Sequence, residues 1–280
     1  MPGGREVRVA AVQIGVVLED QEATTEKVCA WFDDAAEEGA DVVLFPELIL
    51  AAGYSLGEGF RKIAETPDGP NMRRFRDRAR QHRVNGIVGF AEPGSGGAIH
   101  NSAAFIDRQG DVVSVYRKSH IFVATESFFA PGSELPVFDT DIGRVGIPIC
   151  YDLEFPEPAR VLAMQGAELL LTMTAHWSGS GTVGTPENFL RTIYSARALE
   201  NRLPIVMCNR VGYDPGLDDQ FCGLSRIVDS EGMVLAEMDE RSEGMIAASL
   251  DLDLEASRRS TYDYIVNRHP ELYSSLVTRP

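Results

Sequence analysis

The sequence has no excess of basic residues and few cysteines. Its 26 lysines and arginines are outnumbered by 42 aspartates and glutamates, which gives a formal net charge of −16 at pH 7. Nucleic acids and anionic membranes attract basic surfaces, so we expect neither as a partner. The four cysteines are scattered and none forms a C-x-x-C pair: Cys29, Cys150, Cys208 and Cys222. This spacing argues against a metal site or a disulfide framework.

Long apolar runs and interdomain linkers are also missing. No segment approaches the ~18 consecutive apolar residues of a membrane-spanning helix. The N-terminal run VRVAAVQIGVV is interrupted by Gln13 and has no small-residue cleavage pattern after it, so it predicts a strand rather than a signal peptide. We therefore expect a cytoplasmic protein. No stretch is rich enough in Pro, Gly or Ser to divide the chain, and 280 residues suit a single domain over 1–280.

Apolar runs alternate with amphipathic segments along the chain. The runs predict strands over 7–14, 41–47, 86–92, 101–107, 112–118, 145–150, 168–175 and 203–210. Helical spacing predicts helices over 24–38, 71–83 and 188–201, and one more that opens at Pro156. A hairpin is expected around 230–232. This mixed order favours a layered α+β or α/β domain with mixed sheets.

Three of the predicted strands end in residues with useful chemistry. DVVLFPE ends in Glu47, VVSVYRK ends in Lys118 and VGIPIC ends in Cys150. Sites in layered α/β folds gather beyond the carboxyl ends of strands. A cysteine nucleophile needs a base, a desolvated carboxylate can act as that base, and a lysine can stabilise an oxyanion. Each residue also has an ordinary structural explanation, so the chemistry alone leaves both interpretations open.

The segments around these three residues carry a resemblance. LFPEL around Glu47, YRKSHIF around Lys118 and GIPICYDLEFPEPAR around Cys150 resemble the three signatures of the nitrilase superfamily of carbon–nitrogen hydrolases. The likeness covers nearly the whole chain, from VRVAAVQIG through HNSAAFID and ARALENRLPIV to YIVNRHPELY. Three motifs in the right order make the resemblance specific.

The resemblance implies an α+β fold, a four-layer αββα sandwich in a single domain. It implies that the chain pairs into homodimers or larger assemblies. The C-terminal arm, roughly residues 252–280, is the segment that relatives often exchange between subunits. A small-molecule amide is then the expected substrate.

The resemblance also implies the catalytic roles. Cys150 would be the nucleophile, Glu47 the general base and later acid, and Lys118 the oxyanion stabiliser. The main-chain N–H of Tyr151, where a strand runs into a helix, would also face the oxyanion. Glu126, eight positions after Lys118, matches the second glutamate of many members. The mechanism needs neither a metal nor an organic cofactor.

The residues after Cys150 favour the amidase branch. Nitrile-hydrolysing members have Cys-Trp-Glu, where this chain has Cys150 followed by Tyr151 and Asp152. Hydrolases of N-carbamoyl amino acids place arginines where this chain has Leu153 and Glu154. We therefore expect an amidase that hydrolyses small aliphatic or amino-bearing amides through a cysteine thioester. The alternatives are an N-carbamoyl amine amidohydrolase and a nitrilase of the same superfamily.

Five residues are candidates for the substrate pocket: Tyr54, Tyr151, Glu154, His176 and Trp177. Tyr54 lies on the loop after Glu47, and TAHW, which contains His176 and Trp177, ends a predicted strand. The aromatic ring of Trp177 could enclose the acyl group, or it could simply pack in the core.

Glu154 is the candidate for binding a substrate ammonium. The alternative is that it pairs with an arginine such as Arg160 or Arg197. Asp152 is expected to support the turn that presents Cys150. Pro148 is a departure from the superfamily pattern, because it removes a main-chain donor from the strand before the nucleophile and predicts an edge position or an irregularity there.

Three other classes of function remain open in the sequence. A papain-like hydrolase would use a histidine base, and His120 and His176 are the two that could approach Cys150. A non-catalytic, metabolite-binding member of the fold would not require an intact Glu–Lys–Cys set. An acyltransferase would pass the thioester's acyl group to an amine instead of water, and no residue excludes it.

Overall fold

Two six-stranded sheets with helices on their outer faces make up most of the structure. The structure is a computed structural model, and it describes residues 4–179 and 184–278. In that part of the chain, the strands are β1 (Glu6–Gln13), β2 (Val42–Leu44), β3 (Asn85–Pro93), β4 (Ile99–Ile106), β5 (Val112–Arg117), β6 (Val137–Thr140), β7 (Gly143–Gly146), β8 (Leu169–Met173), β9 (Ile205–Cys208), β10 (Val211–Asp214), β11 (Asp219–Cys222), β12 (Arg226–Val228), β13 (Val234–Glu237) and β14 (Gly244–Asp251).

The α-helices are α1 (Gln21–Glu37), α2 (Phe60–Ile63), α3 (Pro70–His82), α4 (Val123–Glu126), α5 (Pro156–Met164), α6 (Pro186–Asn201) and α7 (Leu252–Thr261). Short 3-10 segments are Ile49–Ala51, Gly57–Gly59, Ser95–Gly97, Cys150–Glu154, Pro270–Leu272 and Ser274–Val277.

The two sheets have the same arrangement of parallel and antiparallel strands. The first has the order β14-β1-β2-β3-β4-β5, and the second has the order β13-β12-β9-β8-β7-β6. In each sheet three central strands run parallel, and the outer strands are antiparallel. The N–H of Glu47, after β2, donates to the Thr174 carbonyl, after β8, at 3.3 Å. The carboxyl ends of these strands therefore meet, and the site forms there.

Three apolar layers hold the sandwich together. The inward faces of the two sheets form the central layer, with side chains such as Leu44 and Leu171. Helices α1 and α3 cover the first sheet through residues such as Phe32 and Phe75. Helices α5 and α6 cover the second sheet, where Leu162 is one of the buried contacts. This order confirms the predicted α+β, four-layer αββα fold.

Helix boundaries follow their capping residues. The predicted start of the first helix at residue 24 is wrong, because Asp20 caps the helix by accepting the Ala23 N–H at 2.9 Å, so that α1 begins at Gln21. Gly39, which was predicted to end this helix, has the positive φ of +73° that suits a helix end. Thr185 caps α6, which begins at Pro186, two residues before the predicted start at 188.

Pro148 ends the strand that leads to the nucleophile. The predicted strand over 145–150 is too long, since β7 stops at Gly146 and only Ile149 makes a further bridge, to Met173. β7 lies between β6 and β8, so Pro148 marks an irregularity and not a sheet edge. The strand predicted over 168–175 likewise ends at Met173, so TAHW follows the strand and is not part of it.

The C-terminal arm keeps many apolar side chains exposed. Residues 279–280 of the predicted arm lie outside the described residues. A cleft of about 780 Å³ separates the arm from α5, and Met164 and Tyr273 are among its lining residues. Val266 and Val277 are 77% and 88% exposed, so the arm has an unburied apolar face.

Candidate active site

Lys118 joins two buried glutamates. Its Nζ donates to Glu47 Oε1 at 2.7 Å and to the two oxygens of Glu126 at 2.9 and 2.8 Å. All three side chains are buried. Glu47 follows β2, Lys118 follows β5 and Glu126 ends α4. The fold thus brings together three of the residues for which catalytic roles were predicted, although 71 positions separate Glu47 from Lys118.

Asn101 and Tyr54 hold this cluster in place. Asn101 Nδ2 donates to Glu47 Oε1 at 2.7 Å and to Glu126 Oε1 at 3.1 Å. The Tyr54 hydroxyl donates to Glu126 Oε1 at 2.9 Å. Asn101 was not among the predicted site residues. Its signal in the sequence is weak: a polar amide inside a strand, whose position beside Lys118 depends on the pairing of β4 with β5.

Burial and ion pairing set the charges of the cluster. Burial raises the pKa of Glu47 to about 7, opposed by Lys118 and assisted by Glu126. Burial opposes the charge of Lys118, but Glu126 and Glu47 together hold its pKa well above its usual range. Lys118 is therefore a cation throughout the neutral range, whereas Glu47 can gain and lose a proton.

One oxygen of Glu47 is free for that proton. Its Oε2 is buried and has no hydrogen-bond partner among residues 4–179 and 184–278. A buried, unpaired carboxylate oxygen is costly unless something else uses it. A thiol proton or a water molecule would satisfy it.

Cys150 occupies a strained turn. Its φ is +47°, in the left-handed region that non-glycine residues adopt at a cost of roughly 1–3 kcal/mol. It opens the 3-10 segment Cys150–Glu154, directly after the extended residue Ile149. Burial, together with Glu47, raises the pKa of the Cys150 thiol well above its usual range. The thiol is therefore neutral at rest and needs a base to become nucleophilic.

The carboxylate of Asp152 stabilises this turn through four contacts. Its Oδ2 accepts the Ile149 N–H at 2.9 Å and the Tyr116 hydroxyl at 2.7 Å. Its Oδ1 accepts the His120 N–H at 2.8 Å and contacts the His120 ring nitrogen Nδ1 at 2.9 Å. One carboxylate thus ties the Cys150 turn to the segment that follows Lys118, which agrees with the supporting role expected of Asp152.

A narrow cavity of about 10 Å³ lies over Cys150. Its lining contains all five residues predicted for the substrate pocket, and Phe122 and Ala175 complete it: Tyr54, Phe122, Cys150, Tyr151, Glu154, Ala175, His176 and Trp177. The Trp177 ring lies 6.0 Å from that of Tyr54 and 5.6 Å from that of Phe122. One wall of the cavity is therefore aromatic.

Glu154 lines this cavity, and no arginine pairs with its carboxylate among residues 4–179 and 184–278. The expected alternative, a carboxylate pair with Arg160 or Arg197, is wrong. Arg197 donates to the main-chain oxygens of Leu153 and Glu154 at 3.0 and 2.9 Å, and Arg160 donates to the Glu200 carbonyl. Burial raises the pKa of the Glu154 carboxyl to about 7.

His176 contacts the nucleophile but is a weak base. Its Nε2 lies 3.8 Å from Cys150 Sγ. Burial, and then the charge of Lys118, lower the pKa of His176 to about 3. His120, the other candidate of the papain-like hypothesis, is held by Asp152 instead. A neutral imidazole of this basicity is poorly suited to take a thiol proton while Glu47 is available.

Arg210 is a buried residue near the site that was not predicted. It is 1% exposed, and its guanidinium lies 4.6 Å from the Phe221 ring and 6.0 Å from the Tyr54 ring. Its Nε and Nη1 have no hydrogen-bond partner in the described part of the chain. The Tyr54 N–H in turn donates to Asp214 Oδ2 at 2.9 Å. Arg210 and Asp214 therefore support the Tyr54 loop from the β10–β11 side.

No group of three or more His, Cys, Asp or Glu side chains able to hold a metal ion occurs among the described residues. Among the same residues, no helix is both long and apolar enough to cross a membrane.

Comparison with known proteins places the chain in a family. The model of the carbon-nitrogen hydrolase family matches residues 8–260, so the chain belongs to that family, and it is a hydrolase of carbon–nitrogen bonds. The superfamily recognised from the three motifs is thereby confirmed.

Relatives from three branches resemble the whole chain. A probable nitrilase of Schizosaccharomyces pombe is 34% identical, over 98% of this chain and 99% of its own. An N-carbamoylputrescine amidase of Arabidopsis thaliana is 31% identical, over 98% and 96%. A mutant of the amidase from Nesterenkonia sp. AN1 superposes with a TM-score of 0.84 at 25% identity, over 98% of each chain; in it, the acetamide moiety of fluoroacetamide is covalently attached to the active-site cysteine.

Proposed function

We propose that the protein is an amidase that hydrolyses small aliphatic or amine-bearing amides to a carboxylic acid and ammonia. The observation that carries this proposal is the buried cluster of Glu47, Lys118 and Glu126 beside a strained Cys150. The cluster supplies a base that titrates near neutrality and a permanent cation. The cysteine adduct in the related amidase supports the same chemistry.

Acylation uses Glu47 first as a base. Its free oxygen takes the thiol proton while Cys150 Sγ forms a bond to the amide carbon. The negative charge moves onto the carbonyl oxygen, where Lys118 Nζ and the Tyr151 N–H stabilise it. No hydrogen bond from this N–H is found within the described residues. One such donor contributes about 10²–10³ to kcat.

Collapse of the tetrahedral intermediate releases ammonia. Glu47 returns its proton to the leaving nitrogen as the carbon–nitrogen bond breaks, and a thioester remains on Cys150. The same carboxylate then takes a proton from a water molecule that attacks the thioester carbon. The carbon–sulfur bond then breaks as Glu47 returns this proton to Sγ, which gives the acid and restores the thiol. A carboxyl with a pKa near the working pH suits both directions of proton transfer.

Glu154 supports the amine-bearing part of the proposal. It is a carboxylate on the cavity wall at a position where hydrolases of carboxylate-bearing substrates would need a cation. An anionic substrate would be repelled there, whereas a substrate ammonium would find a counter-ion.

Ammonia release from a substrate panel tests the proposal. The panel contains propionamide, an amino-acid amide, an N-carbamoyl amine and a simple nitrile, each offered to wild type, Cys150→Ala and Cys29→Ala. We expect release from the amides, its loss in Cys150→Ala and its retention in Cys29→Ala, because Cys29 lies on the buried face of α1, away from the site. Release only from the carbamoyl compound or the nitrile would move the protein to another branch. Release by Cys150→Ala equal to wild type would refute the mechanism.

We also propose that two copies pair through α5 and the C-terminal arm. The exposed apolar face of the arm supports this, since monomers rarely leave such a face uncovered.

A further inference from the structure

The geometry points to a specific class of substrate: amides whose amino group is separated from the carbonyl by only one or two carbon atoms. This inference rests on the proposed amidase function and deepens it. It concerns the distance between the nucleophile and the carboxylate of Glu154, and the side chain that stands between them.

Glu154 is the one carboxylate among the described residues that line the cavity. No hydrogen bond to its side chain is present in the described part of the chain, and its nearest basic neighbour is His176, with Nε2 3.9 Å from Oε1. Its side chain is 26% exposed. A partly buried carboxylate with no cationic partner leaves room for a cation supplied by the substrate, and ammonium–carboxylate contacts of this kind are the stronger sort of hydrogen bond.

The position of His176 limits the distance between Cys150 Sγ and Glu154 Oε1. The same Nε2 lies 3.8 Å from Cys150 Sγ and 3.9 Å from Glu154 Oε1. Sγ and Oε1 can therefore be no more than about 7.7 Å apart, the two distances taken together. The His176 main-chain N–H donates to Asn209 Oδ1 at 2.9 Å, and the imidazole ring packs edge-on to Phe189.

A reacting substrate uses most of this distance in its two contacts. The carbonyl carbon must lie about 3–3.5 Å from the sulfur. An ammonium nitrogen must lie about 2.7–2.9 Å from the carboxylate oxygen. At the largest possible gap, the two contacts leave only about 1.3–2 Å along a straight line, so the shortest carbon-to-nitrogen separation already spans it and longer ones need a bent path. One intervening carbon gives about 2.5 Å from ordinary bond lengths and angles, and a second carbon adds roughly 1.3 Å.

Longer substrates do not suit this space. An extended chain of four or more carbons would carry the ammonium past Glu154 and toward the aromatic wall. The neutral state of His176 also matters, because an imidazolium would neutralise Glu154 and repel the ammonium.

The test is a chain-length series on the intact protein. The compounds are straight-chain primary amides that carry a terminal amino group, with n methylene groups between the amino nitrogen and the carbonyl carbon and n from 1 to 5. Each is compared at pH 7.5 with the uncharged amide of equal length. We expect the ratio of kcat/KM for the amino amide to that of its uncharged partner to be greatest at n = 1 or 2. At n = 4 or 5 it should be at least tenfold smaller. A ratio that rises with chain length, or stays near one throughout, overturns the inference.

Two variants locate the effect. Glu154→Gln should lower the ratio at n = 1 and 2 by about 10–100-fold, the loss expected for a charge-assisted contact worth roughly 1.5–3 kcal/mol. Glu157→Gln removes the same charge three residues away on the exposed face of α5 and should leave the ratio unchanged. Equal effects of both variants would contradict a local contact, and the wild-type series stands even if Glu154→Gln fails to fold.

Failure of the parent proposal has a different signature. If wild type hydrolyses propionamide but shows no preference for short amino amides, the amidase assignment stands and the spacer inference is wrong. If no amide is hydrolysed, or if Cys150→Ala hydrolyses them equally well, both are wrong.

Discussion

At the scale of single residues, the charge of Glu47 decides when the proposed amidase is active. The carboxyl is fully buried against a cation and a second carboxylate, and the balance leaves its pKa at about 7. The reaction needs the ionised form, because only that form can take the thiol proton. A raised pKa means that this form is lost as the pH falls through 7, rather than through the usual value near 4.

We therefore predict that kcat/KM begins to fall, as the pH is lowered, at an unusually high pH. With propionamide, which does not titrate, kcat/KM should be half-maximal near pH 7 and should fall about tenfold per pH unit below it. Glu47→Gln should lower kcat by about 10²–10⁴, the range for loss of a general base. Glu58→Gln, which removes an exposed acid paired only with Arg61, should keep the wild-type profile. A flat profile between pH 5 and 8 would contradict the role of Glu47.

Tyr54 offers a second test at this scale. Tyr54→Phe removes the hydroxyl that Glu126 accepts and leaves a buried carboxylate with one donor fewer. We expect kcat/KM to fall about 5–10-fold, equivalent to roughly 1–1.4 kcal/mol. Tyr213→Phe is the matched control, since its hydroxyl also donates to a carboxylate, that of Asp218, but at the surface. Steady-state kinetics of both variants should separate them, and equal losses would argue against the buried network.

At the scale of elements, the site depends on how closely β3 approaches the segment that carries Glu47. Gly89 lies on β3, and a Cβ there would lie 2.7 Å from the Leu48 nitrogen and 3.1 Å from the Pro46 oxygen. Contacts this short with main chain cannot be relieved by a side-chain rotation. Glycine at this position therefore allows the segment after β2, which carries Glu47, to lie in close contact with β3.

Gly89→Ala should accordingly impair both stability and activity. We expect a loss of about 1–3 kcal/mol in the free energy of unfolding, the usual cost of overpacking, together with a lower kcat as Glu47 is displaced. Gly59→Ala is the control, because its φ of −61° suits alanine and the added Cβ would meet Leu56 at an ordinary 3.5 Å. Urea denaturation and propionamide kinetics report the two effects. A neutral Gly89→Ala would mean that the two segments can separate freely.

The sequence could predict some elements of this site better than others. Glu47, Lys118 and Cys150 each end a predicted strand within a recognisable motif, and the motifs lie in the expected order. The contact of Asn101 with Glu47 and the position of Arg210 beside Phe221 and Tyr54 could not be predicted in the same way. They depend on strand register and on the meeting of segments far apart in the chain, which no local pattern encodes.

The segment before Cys150 likewise has features that the sequence could predict and features that it could not. The apolar run VGIPIC has the composition of a strand, and Pro148 correctly warned of an irregularity. It could not reveal that Asp152 replaces the missing pairing by accepting the Ile149 N–H. Nor could spacing alone show that Glu154 faces the cavity without an arginine, since that depends on the path of α6 beside it.

In the molecule as a whole, the two sheets bury each other's inner faces, and one apolar surface remains exposed. The central layer buries the inner faces of both sheets, and α1, α3, α5 and α6 cover the outer faces. The arm after β14 does not complete this burial. Leu276 and Val277 at its end are 66% and 88% exposed, beside the cleft that the arm forms with α5.

The exposed apolar face of the arm predicts that the protein self-associates. We expect wild-type protein to sediment as a dimer or larger assembly at micromolar concentration, because a stable interface would bury the arm's apolar face in a second copy. Leu276→Asp combined with Val277→Asp should shift the protein toward the monomer, since it would place two charges in that interface. Val113→Asp changes an apolar residue that is 49% exposed on β5, in the other sheet, and should leave the assembly intact. Sedimentation velocity over a concentration series distinguishes these results. A wild-type monomer at every concentration would show that the arm covers only its own subunit, and the proposed pairing would then be wrong while the chemistry at Cys150 would be unaffected.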